Sequence, residues 1–315
     1  MSLPRMKPDA PRTAVLLSVY NGERFLLPQI QSLKNQTVAL IDLWISDDGS
    51  SDGSDKILTE TERQWDKGAC RRLAGPRNGF AANFRALLAN PDIEADYVAF
   101  CDQDDLWDED KLAAALAWLA GEDPNTPALY CTRTRLITED GSLLGYSPLF
   151  PRTPSFQNAI LQSIAGGNTM VMNRAAHELM REASRRSDFV SHDWWCYMMV
   201  TGAGGRVHYS PEARIGYRQH GCNLVGANSS WPARLRRITF LTKGGFQGWN
   251  AHNLAGLRAC WDLLTPDARN VIERIEQARS GPLPRRLSAL WKSGAYRQTV
   301  YGDIGLYVGC IINRL

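Results

Sequence analysis

The stretch Tyr97-Val98-Ala99-Phe100-Cys101-Asp102-Gln103-Asp104-Asp105 decides the fold of this chain. Its first four residues form an apolar run typical of a buried strand, and three acids follow at once. Open α/β sheets bind ligands at the carboxyl ends of their strands, where these acids would lie. Crowded carboxylates repel one another unless a cation compensates them, so the stretch predicts a site for Mg²⁺ or Mn²⁺. The alternative is a solvated cap on a helix that begins near Asp108.

Two more strands are predicted upstream, and one of them also ends in acids. Residues 13–19 form an apolar run that opens into a turn and then a helical pattern over residues 24–34. Residues 41–46 form another such run, which ends at Asp47-Asp48 and the turn-forming residues 49–53. Alternation of strands and helices is typical of a parallel sheet, so carboxylates from two strands would meet at one edge.

Length and composition predict a catalytic domain with an appendage. At 315 residues and 44% hydrophobic, the chain can bury a sizeable core. We expect a disordered tail over residues 1–11, a catalytic domain over 12–228 and a helical appendage over 229–315. The net charge of +3 is too small to indicate nucleic acid. Seven cysteines without C-x-x-C spacing indicate reduced thiols and a cytoplasmic protein.

Neither a signal peptide nor a membrane span is predicted. The first twelve residues lack an apolar core, and no uninterrupted apolar stretch approaches 18 residues. The segment from Trp231 onward mixes basic and apolar residues, as a surface-binding amphipathic helix does. We favour a packed helical appendage with a solvated basic face, and peripheral membrane contact is the alternative. The basic residues are Arg234, Arg236, Arg237 and Lys243.

Several ordered motifs resemble those of family 2 glycosyltransferases with the GT-A fold. The resemblance spans residues 12–228, and its last two motifs are similar to those of bacterial rhamnosyltransferase-like members. The motifs are Ser18-Val19-Tyr20-Asn21, Asp47-Asp48-Gly49-Ser50-Ser51-Asp52, Arg77-Asn78-Gly79 with Asn83-Phe84, Asp102-Gln103-Asp104-Asp105 with Trp107, His192-Asp193-Trp194-Trp195, and Tyr217-Arg218-Gln219-His220-Gly221-Cys222-Asn223.

This resemblance implies both a fold and a reaction. The fold is α/β, a mixed and mainly parallel sheet flanked by helices, with a mostly helical C-terminal region. The reaction is metal-dependent, inverting transfer of a sugar from a dTDP- or UDP-sugar to a hydroxyl. The leading donor is dTDP-L-rhamnose, and the acceptor is a cell-surface polysaccharide or lipid-linked oligosaccharide. The enzyme would work in the cytoplasm or at the inner face of the membrane.

The resemblance also implies roles for the acidic stretch and for a later histidine. Asp104 matches the position that coordinates the metal. Asp102 matches the position that contacts the donor ribose or supports the metal shell through water. His220 is expected as a further metal ligand or a diphosphate contact, because imidazole suits Mn²⁺.

Nucleotide recognition is expected at the ends of the first two strands. Asp48 resembles the carboxylate that accepts a hydrogen bond from N3–H of uracil or thymine. Ser18, Tyr20 and Asn21 would line the same pocket.

The donor's diphosphate and sugar are expected to contact further residues. Arg77 and Asn78 precede a helical run and could face the diphosphate, although Asn78-Gly79 also reads as an ordinary turn. Asn83 lies on the helix face that could look into the site, and Arg218 could make a bidentate phosphate contact. Gly167 and Asn168 would line the donor sugar, the alternative being a β-bulge.

The acceptor side is expected at residues 192–195. Asp193 would be the catalytic base, and Trp194 would stack on the acceptor sugar. The alternative is that Asp193 caps a helix over residues 194–200 and that the tryptophans belong to the core.

Two other functions are alternatives to sugar transfer. A nucleotidyltransferase would need a glycine-rich, lysine-bearing phosphate loop near the first strand, and residues 18–22 contain none. A non-catalytic carbohydrate-binding relative would have lost Asp104 or Asp193, and both are present. The sequence therefore favours an active glycosyltransferase.

Overall fold

A computed structural model describes residues 10–220 and 245–315. The expected domain boundary at 228 and the basic residues of the segment from Trp231 to Lys243 lie outside the described residues, as does nearly all of the expected N-terminal tail. Within the described ranges the six cysteines are free thiols.

Seven of the strands form one mixed sheet, in the order β10-β6-β9-β4-β1-β2-β3. β4, β1, β2 and β3 run parallel to one another, β10 runs parallel to β6, and β9 is antiparallel to both of its neighbours. The strands of the described residues are β1 Thr13–Val19, β2 Ile41–Asp47, β3 Cys70–Ala74, β4 Tyr97–Cys101, β5 Leu106–Trp107, β6 Ala128–Thr132, β7 Arg135–Ile137, β8 Leu143–Tyr146, β9 Val171–Asn173, β10 Arg206–Ser210 and β11 Ile215–Arg218. The predicted mixed, mainly parallel sheet is confirmed.

Helices follow most strands of the main sheet and continue alone after residue 245. In the described residues they are α1 Leu26–Lys34, α2 Ser54–Gln64, α3 Gly79–Ala89, α4 Lys111–Leu119, α5 Phe156–Ala159, α6 Arg174–Arg186, α7 His192–Gly202, α8 Gly245–Ala259, α9 Pro266–Ala278, α10 Leu283–Ser293 and α11 Val300–Ile311. Gly167–Thr169 forms a 3₁₀ turn, and β9 begins at Val171.

Alternation along β1 explains why helices cover both faces of the sheet. Ala14 and Leu16 belong to a core shared with α3, α6 and α7, whereas Val15 and Leu17 belong to a core shared with α1 and α4. Successive side chains of a strand point to opposite faces, so a fully buried strand needs apolar residues at every position. Every residue from Thr13 to Leu17 is buried accordingly.

The C-terminal helices share the core of the sheet's α7 side. Leu257 and Leu290 lie in the same hydrophobic cluster as Trp195 of α7. The main-chain N–H of Thr265 donates to the carbonyl of Gly202 over 2.9 Å. Within residues 10–220 and 245–315, no helix is long and apolar enough to cross a bilayer.

The other four strands form a smaller sheet, in the order β5-β11-β7-β8. In this sheet β11 pairs with β5, which directly follows the acidic stretch. β5 and β11 are antiparallel, with Leu106 opposite Gly216. Moving two residues along each strand places Arg218 opposite Asp104. This small sheet therefore delivers Arg218 and His220 to the carboxyl end of β4.

Candidate active site

The loops that follow β1, β2 and β4 are hydrogen-bonded to one another. The Gln103 amide accepts from the N–H of Tyr20 over 2.8 Å and donates to its carbonyl over 2.9 Å. On the other side, Oδ1 of Asn21 accepts from the N–H of Ser51 over 2.8 Å. The β1 loop thus joins the acidic stretch to the loop after Asp48, as parallel strands with aligned carboxyl ends require.

Four carboxylates, from two distant parts of the chain, form one acidic cluster. Burial, and then the charges of Asp104 and Asp193, raise the pKa of Asp102 to about 7. Burial and the charges of Asp102 and Asp104 raise the pKa of Asp105 well above its ordinary value. Like charges in a partly dry site disfavour ionisation of each other. A bound cation would relieve this repulsion, so the acidic cluster of Asp102, Asp104, Asp105 and Asp193 suits a positively charged ligand.

Asp104 and His220 lie in direct contact. Nε2 of His220 is 2.7 Å from Oδ2 of Asp104, and the imidazole lies 4.9 Å from the ring of Phe25. A carboxylate oxygen and an imidazole nitrogen together form a donor pair that Mn²⁺ accepts. Nowhere in the described residues do three or more His, Cys, Asp or Glu side chains form a metal-binding group. The residues therefore fit a cation that takes its remaining ligands from water and a bound phosphate.

Asp193 enters the cluster from the first turn of α7. Ser191 holds the N-cap position of this helix, and Oδ1 of Asp193 accepts from the N–H of Trp194 over 2.7 Å. The side chain is half-buried. The predicted alternative, a helix-capping Asp193, accounts for this one oxygen.

Asp105 and Arg218 are buried and stabilise the acidic stretch through hydrogen bonds. Asp105 is fully buried and accepts from Nδ2 of Asn168 over 2.5 Å and from the N–H of Arg218 over 3.4 Å. Arg218 is 4% exposed, and its Nε donates to the carbonyl of Asp104 over 2.9 Å. Its Nη1 donates to the carbonyls of Thr138 and Glu139. The guanidinium therefore positions the backbone of the acidic stretch.

Asp48 fixes the loop that leads into α3. Its two oxygens accept from the N–H groups of Arg77 over 2.6 Å and of Gly79 over 2.8 Å, and its side chain is buried. Arg77 has φ +59°, a left-handed conformation that few side chains adopt without such support. The side chains of Arg77 and Asn78 remain exposed beside this loop.

The model of glycosyl transferase family 2 matches residues 14–179, more than half of the chain. This chain is a family 2 glycosyltransferase. The family predicted from the sequence motifs is thereby confirmed.

Two relatives of this glycosyltransferase illustrate the family's range. The dTDP-rhamnosyl transferase RfbG of Shigella flexneri is 27% identical over 233 residues, which cover 70% of this chain and 78% of RfbG. The putative teichuronic acid biosynthesis glycosyltransferase TuaG of Bacillus subtilis (strain 168) is 26% identical over 164 residues, 52% of this chain and 63% of TuaG.

Solved structures with the same fold include two with nucleotide ligands. S. aureus TarS 1-349 in complex with UDP has a TM-score of 0.52 at 15% identity, covering 83% of this chain and 69% of that one. The mannosyltransferase PcManGT from Pyrobaculum calidifontis in complex with GDP-Man and Mn²⁺ has a TM-score of 0.52 at 18% identity, covering 98% and 88%. These likenesses support the GT-A fold of the glycosyltransferase.

Several residues of the glycosyltransferase that were predicted to contact ligands make structural contacts within the chain. Arg218 was expected at the donor phosphates, but its guanidinium is buried against main-chain carbonyls. Asp48, predicted to read the base, accepts one main-chain N–H on each of its oxygens. Trp194 was expected to stack on a sugar, but it is 6% exposed and Nε1 donates to the carbonyl of Ala159 over 2.6 Å. Trp194 therefore packs in the core, as the predicted alternative held.

Two predicted donor contacts from asparagine are also buried. Asn83 is fully buried, and its Nδ2 donates to Oγ of Ser18 over 2.7 Å and to the carbonyl of Ser46 over 2.9 Å. Asn168 is 3% exposed and is held by Asp105. Asn83 joins α3 to β1 and β2, and Asn168 supports the acidic cluster.

Two residues of the site received no role from the sequence. Gln103 joins two loops of the cleft, and its position inside the acidic stretch was the available signal. His192 is 4% exposed and stacks on Phe84 with ring centroids 3.8 Å apart. Burial lowers the pKa of His192 to about 4, so the ring is neutral at pH 7. No local pattern distinguishes such a core histidine from an exposed one.

Proposed function

We propose that this glycosyltransferase moves a sugar from a dTDP- or UDP-sugar to an acceptor hydroxyl, in a metal-dependent reaction that inverts the anomeric centre. One observation carries the proposal. The charges of Asp104 and Asp193 both act on Asp102, so the residues assigned to the donor side and the assigned base share one cluster. A transferase that displaces a diphosphate needs positive charge on one side of the reacting carbon and a base on the other.

The donor side is assigned to Asp102, Asp104 and His220. Asp104 and His220 would hold Mn²⁺ or Mg²⁺, and the bound ion would neutralise charge on the diphosphate as the bond to the sugar breaks. Asp102 would contact the donor ribose or a water of the metal shell. Exposed Tyr20 and Arg77 lie on the loops beside the cluster and would contact the nucleotide.

Asp193 is assigned as the base that takes the proton of the acceptor hydroxyl. It lies in the first turn of α7, where its charge acts on Asp102. Removal of the proton as the oxygen attacks the anomeric carbon from the face opposite the diphosphate gives inversion.

We further propose L-rhamnose as the sugar and a cell-surface polysaccharide or lipid-linked oligosaccharide as the acceptor. The relative RfbG, a dTDP-rhamnosyl transferase, supports the sugar, and TuaG, named for teichuronic acid biosynthesis, supports the acceptor class. The enzyme would act in the cytoplasm or at the inner face of the cell membrane. We assign residues 12–228 to catalysis and 229–315 to a helical appendage.

Donor binding tests the proposal directly. Thermal unfolding is measured with dTDP-rhamnose, UDP-glucose, UDP-galactose and UDP-N-acetylglucosamine, each with and without Mn²⁺. A ligand at about 100 times its dissociation constant stabilises the native state by about 2.7 kcal/mol, which shifts the midpoint by several degrees. We expect dTDP-rhamnose to give the largest shift, only with Mn²⁺, and the Asp104→Asn variant to lose it.

The alternative functions give different products. Release of pyrophosphate from a nucleoside triphosphate would indicate a nucleotidyltransferase. Donor binding without release of nucleoside diphosphate, whatever saccharide is added, would indicate a non-catalytic relative. A shift with a UDP-sugar and none with dTDP-rhamnose would overturn the rhamnose assignment and leave sugar transfer standing.

A further inference from the structure

Helix α11 turns an apolar face to solvent. A helix on the surface of a globular protein normally shows polar residues outward, so an exposed stripe of this kind marks an interaction site. The stripe's residues are between 36% and 87% exposed, and they are Val300, Tyr301, Ile304, Tyr307, Val308 and Ile311. We call this set the α11 apolar face.

The spacing of these residues makes one continuous surface. At 3.6 residues per turn, the six positions fall within an arc of about 120°. The opposite side of the helix is also apolar, since Leu306 and Cys310 are buried in the main core. Asp303 is the only charged residue of α11, and it pairs with Arg152 over 2.7 Å. The α11 apolar face itself contains no charge.

Basic residues outnumber acids in the segment that contains this face. Residues 283–315 contain five lysines and arginines and one acid. Arg285, Lys292 and Arg314 are exposed, and so is Trp291, at 73%. Nη2 of Arg286 donates to the carbonyl of Ile311 over 3.0 Å, which sets α10 beside the end of α11.

We propose that the α11 apolar face docks onto an anionic lipid surface, with the helix lying in the plane of the interface. Apolar and aromatic side chains would enter the acyl boundary, while the flanking lysine and arginine side chains contact lipid phosphates. The helix has 12 residues, about 18 Å, and cannot cross a hydrocarbon core of about 30 Å.

Charge favours a membrane over a second copy of this chain. A two-fold dimer through the face would bring its basic rim against the same rim of the partner, and like charges would oppose association. An anionic bilayer complements the rim instead, because it attracts each basic residue that comes near its surface. The inference does not depend on which sugar is transferred. It assigns to α11 the peripheral membrane contact that the sequence gives as an alternative for the C-terminal region, whose basic residues 234–243 lie outside the described residues.

Vesicle flotation with the 315-residue chain tests the docking. One set of vesicles is phosphatidylcholine alone, and the other contains about one third phosphatidylglycerol. We expect binding to the anionic vesicles, weakened by added salt because the basic rim is screened. A Tyr301→Glu/Ile304→Glu variant should lose binding by roughly tenfold or more. The matched control is Leu144→Glu in β8, where the side chain is 58% exposed, and it should bind as the wild type does.

A second variant tests the rim without altering α11. Arg285→Glu/Lys292→Glu changes two exposed residues of α10 and should abolish the preference for anionic vesicles. Circular dichroism and thermal midpoints report whether each variant is folded. Equal flotation of the wild type and both variants would overturn the proposal. Failure of the wild type to float would also overturn it. If the wild type does not float and light scattering shows a dimer that Ile304→Glu dissociates, the face binds a second copy of the chain instead.

Discussion

Nε2 of His192 occupies the space that a side chain on Gly167 would need, because a Cβ atom there would lie 1.9 Å from it. The imidazole is held by Phe84, stacked 3.8 Å away, and by Phe100, edge-on at 4.7 Å. It cannot move aside without disturbing the core. The turn that carries Asn168 and the helix that carries Asp193 are therefore interlocked, so a defect at Gly167 reaches both sides of the acidic cluster.

Gly167→Ala should destabilise the protein by about 1–3 kcal/mol, the usual cost of overpacking a core. Turnover should fall as well, because Asn168 supports Asp105 and the same segment packs against the start of α7. Urea unfolding measures the first effect, and initial rates measure the second.

Gly305→Ala is the matched control for that substitution. A Cβ atom at Gly305 would meet nothing within 4 Å, and the residue is exposed within α11. It should stabilise the protein slightly, since alanine favours helix over glycine. A His192→Ala change should recover part of the stability lost in Gly167→Ala. If Gly167→Ala is as stable as wild type, the interlock does not exist.

Arg218→Lys should destabilise the protein by about 2–4 kcal/mol, although the charge is kept. The planar guanidinium donates at once to the carbonyls of Asp104 and Thr138, from two sides, and a single ammonium group cannot replace it. Because Asp104 would be misplaced, the variant molecules that remain folded should show weaker Mn²⁺-dependent donor binding. A variant with unchanged stability and a raised KM alone would instead indicate the originally predicted phosphate contact.

Stability should fall in mild acid because of His177. Burial, and then the charge of Arg181, lower the pKa of His177 to about 3 in the folded state, against about 6.5 when unfolded. As pH falls from 6.5 towards 3, the imidazole of His177 binds a proton in the unfolded state but not in the folded state. The free energy of unfolding is therefore at its full value above pH 6.5 and decreases as pH falls towards 3. Between pH 7 and pH 5 the loss should be about 2 kcal/mol. Urea unfolding of wild type and His177→Leu at both pH values measures it, and an equal loss in the variant would contradict the assignment.

The sequence predicted the strands that build the cleft, because their signals are local. Residues 13–19 and 41–46 are apolar at nearly every position, as strands buried on both faces must be. Parallel pairing then aligns their ends, with Ser18 opposite Ser46. The acids that follow β2 and β4 therefore lie at the same edge of the sheet, whereas Asp193 joins the acidic cluster from the first turn of a helix.

Burial of polar side chains was not predictable in the same way. Asn83 lies on a helix at a position that could face the cleft, yet its partner Ser46 is 37 residues away. From its sequence context Arg218 is predicted to bind phosphate. In the structure the small sheet places it opposite Asp104, which lies 114 residues earlier in the chain. Whether a polar side chain serves a ligand or the fold depends on such distant packing, which no local pattern records.

Asp193→Asn and Asp104→Asn should separate the two halves of the reaction. Asn at 193 keeps the size of the side chain but cannot take a proton, so kcat should fall by about 10²–10⁴ while donor binding persists. Asn at 104 should weaken Mn²⁺-assisted donor binding itself, because it replaces the charged oxygen that contacts His220. Asp188→Asn is the control, since this acid is exposed and pairs with His252 outside the cluster. Rates and calorimetric donor binding are measured for all three, and a fully active Asp193→Asn would show that another group removes the proton.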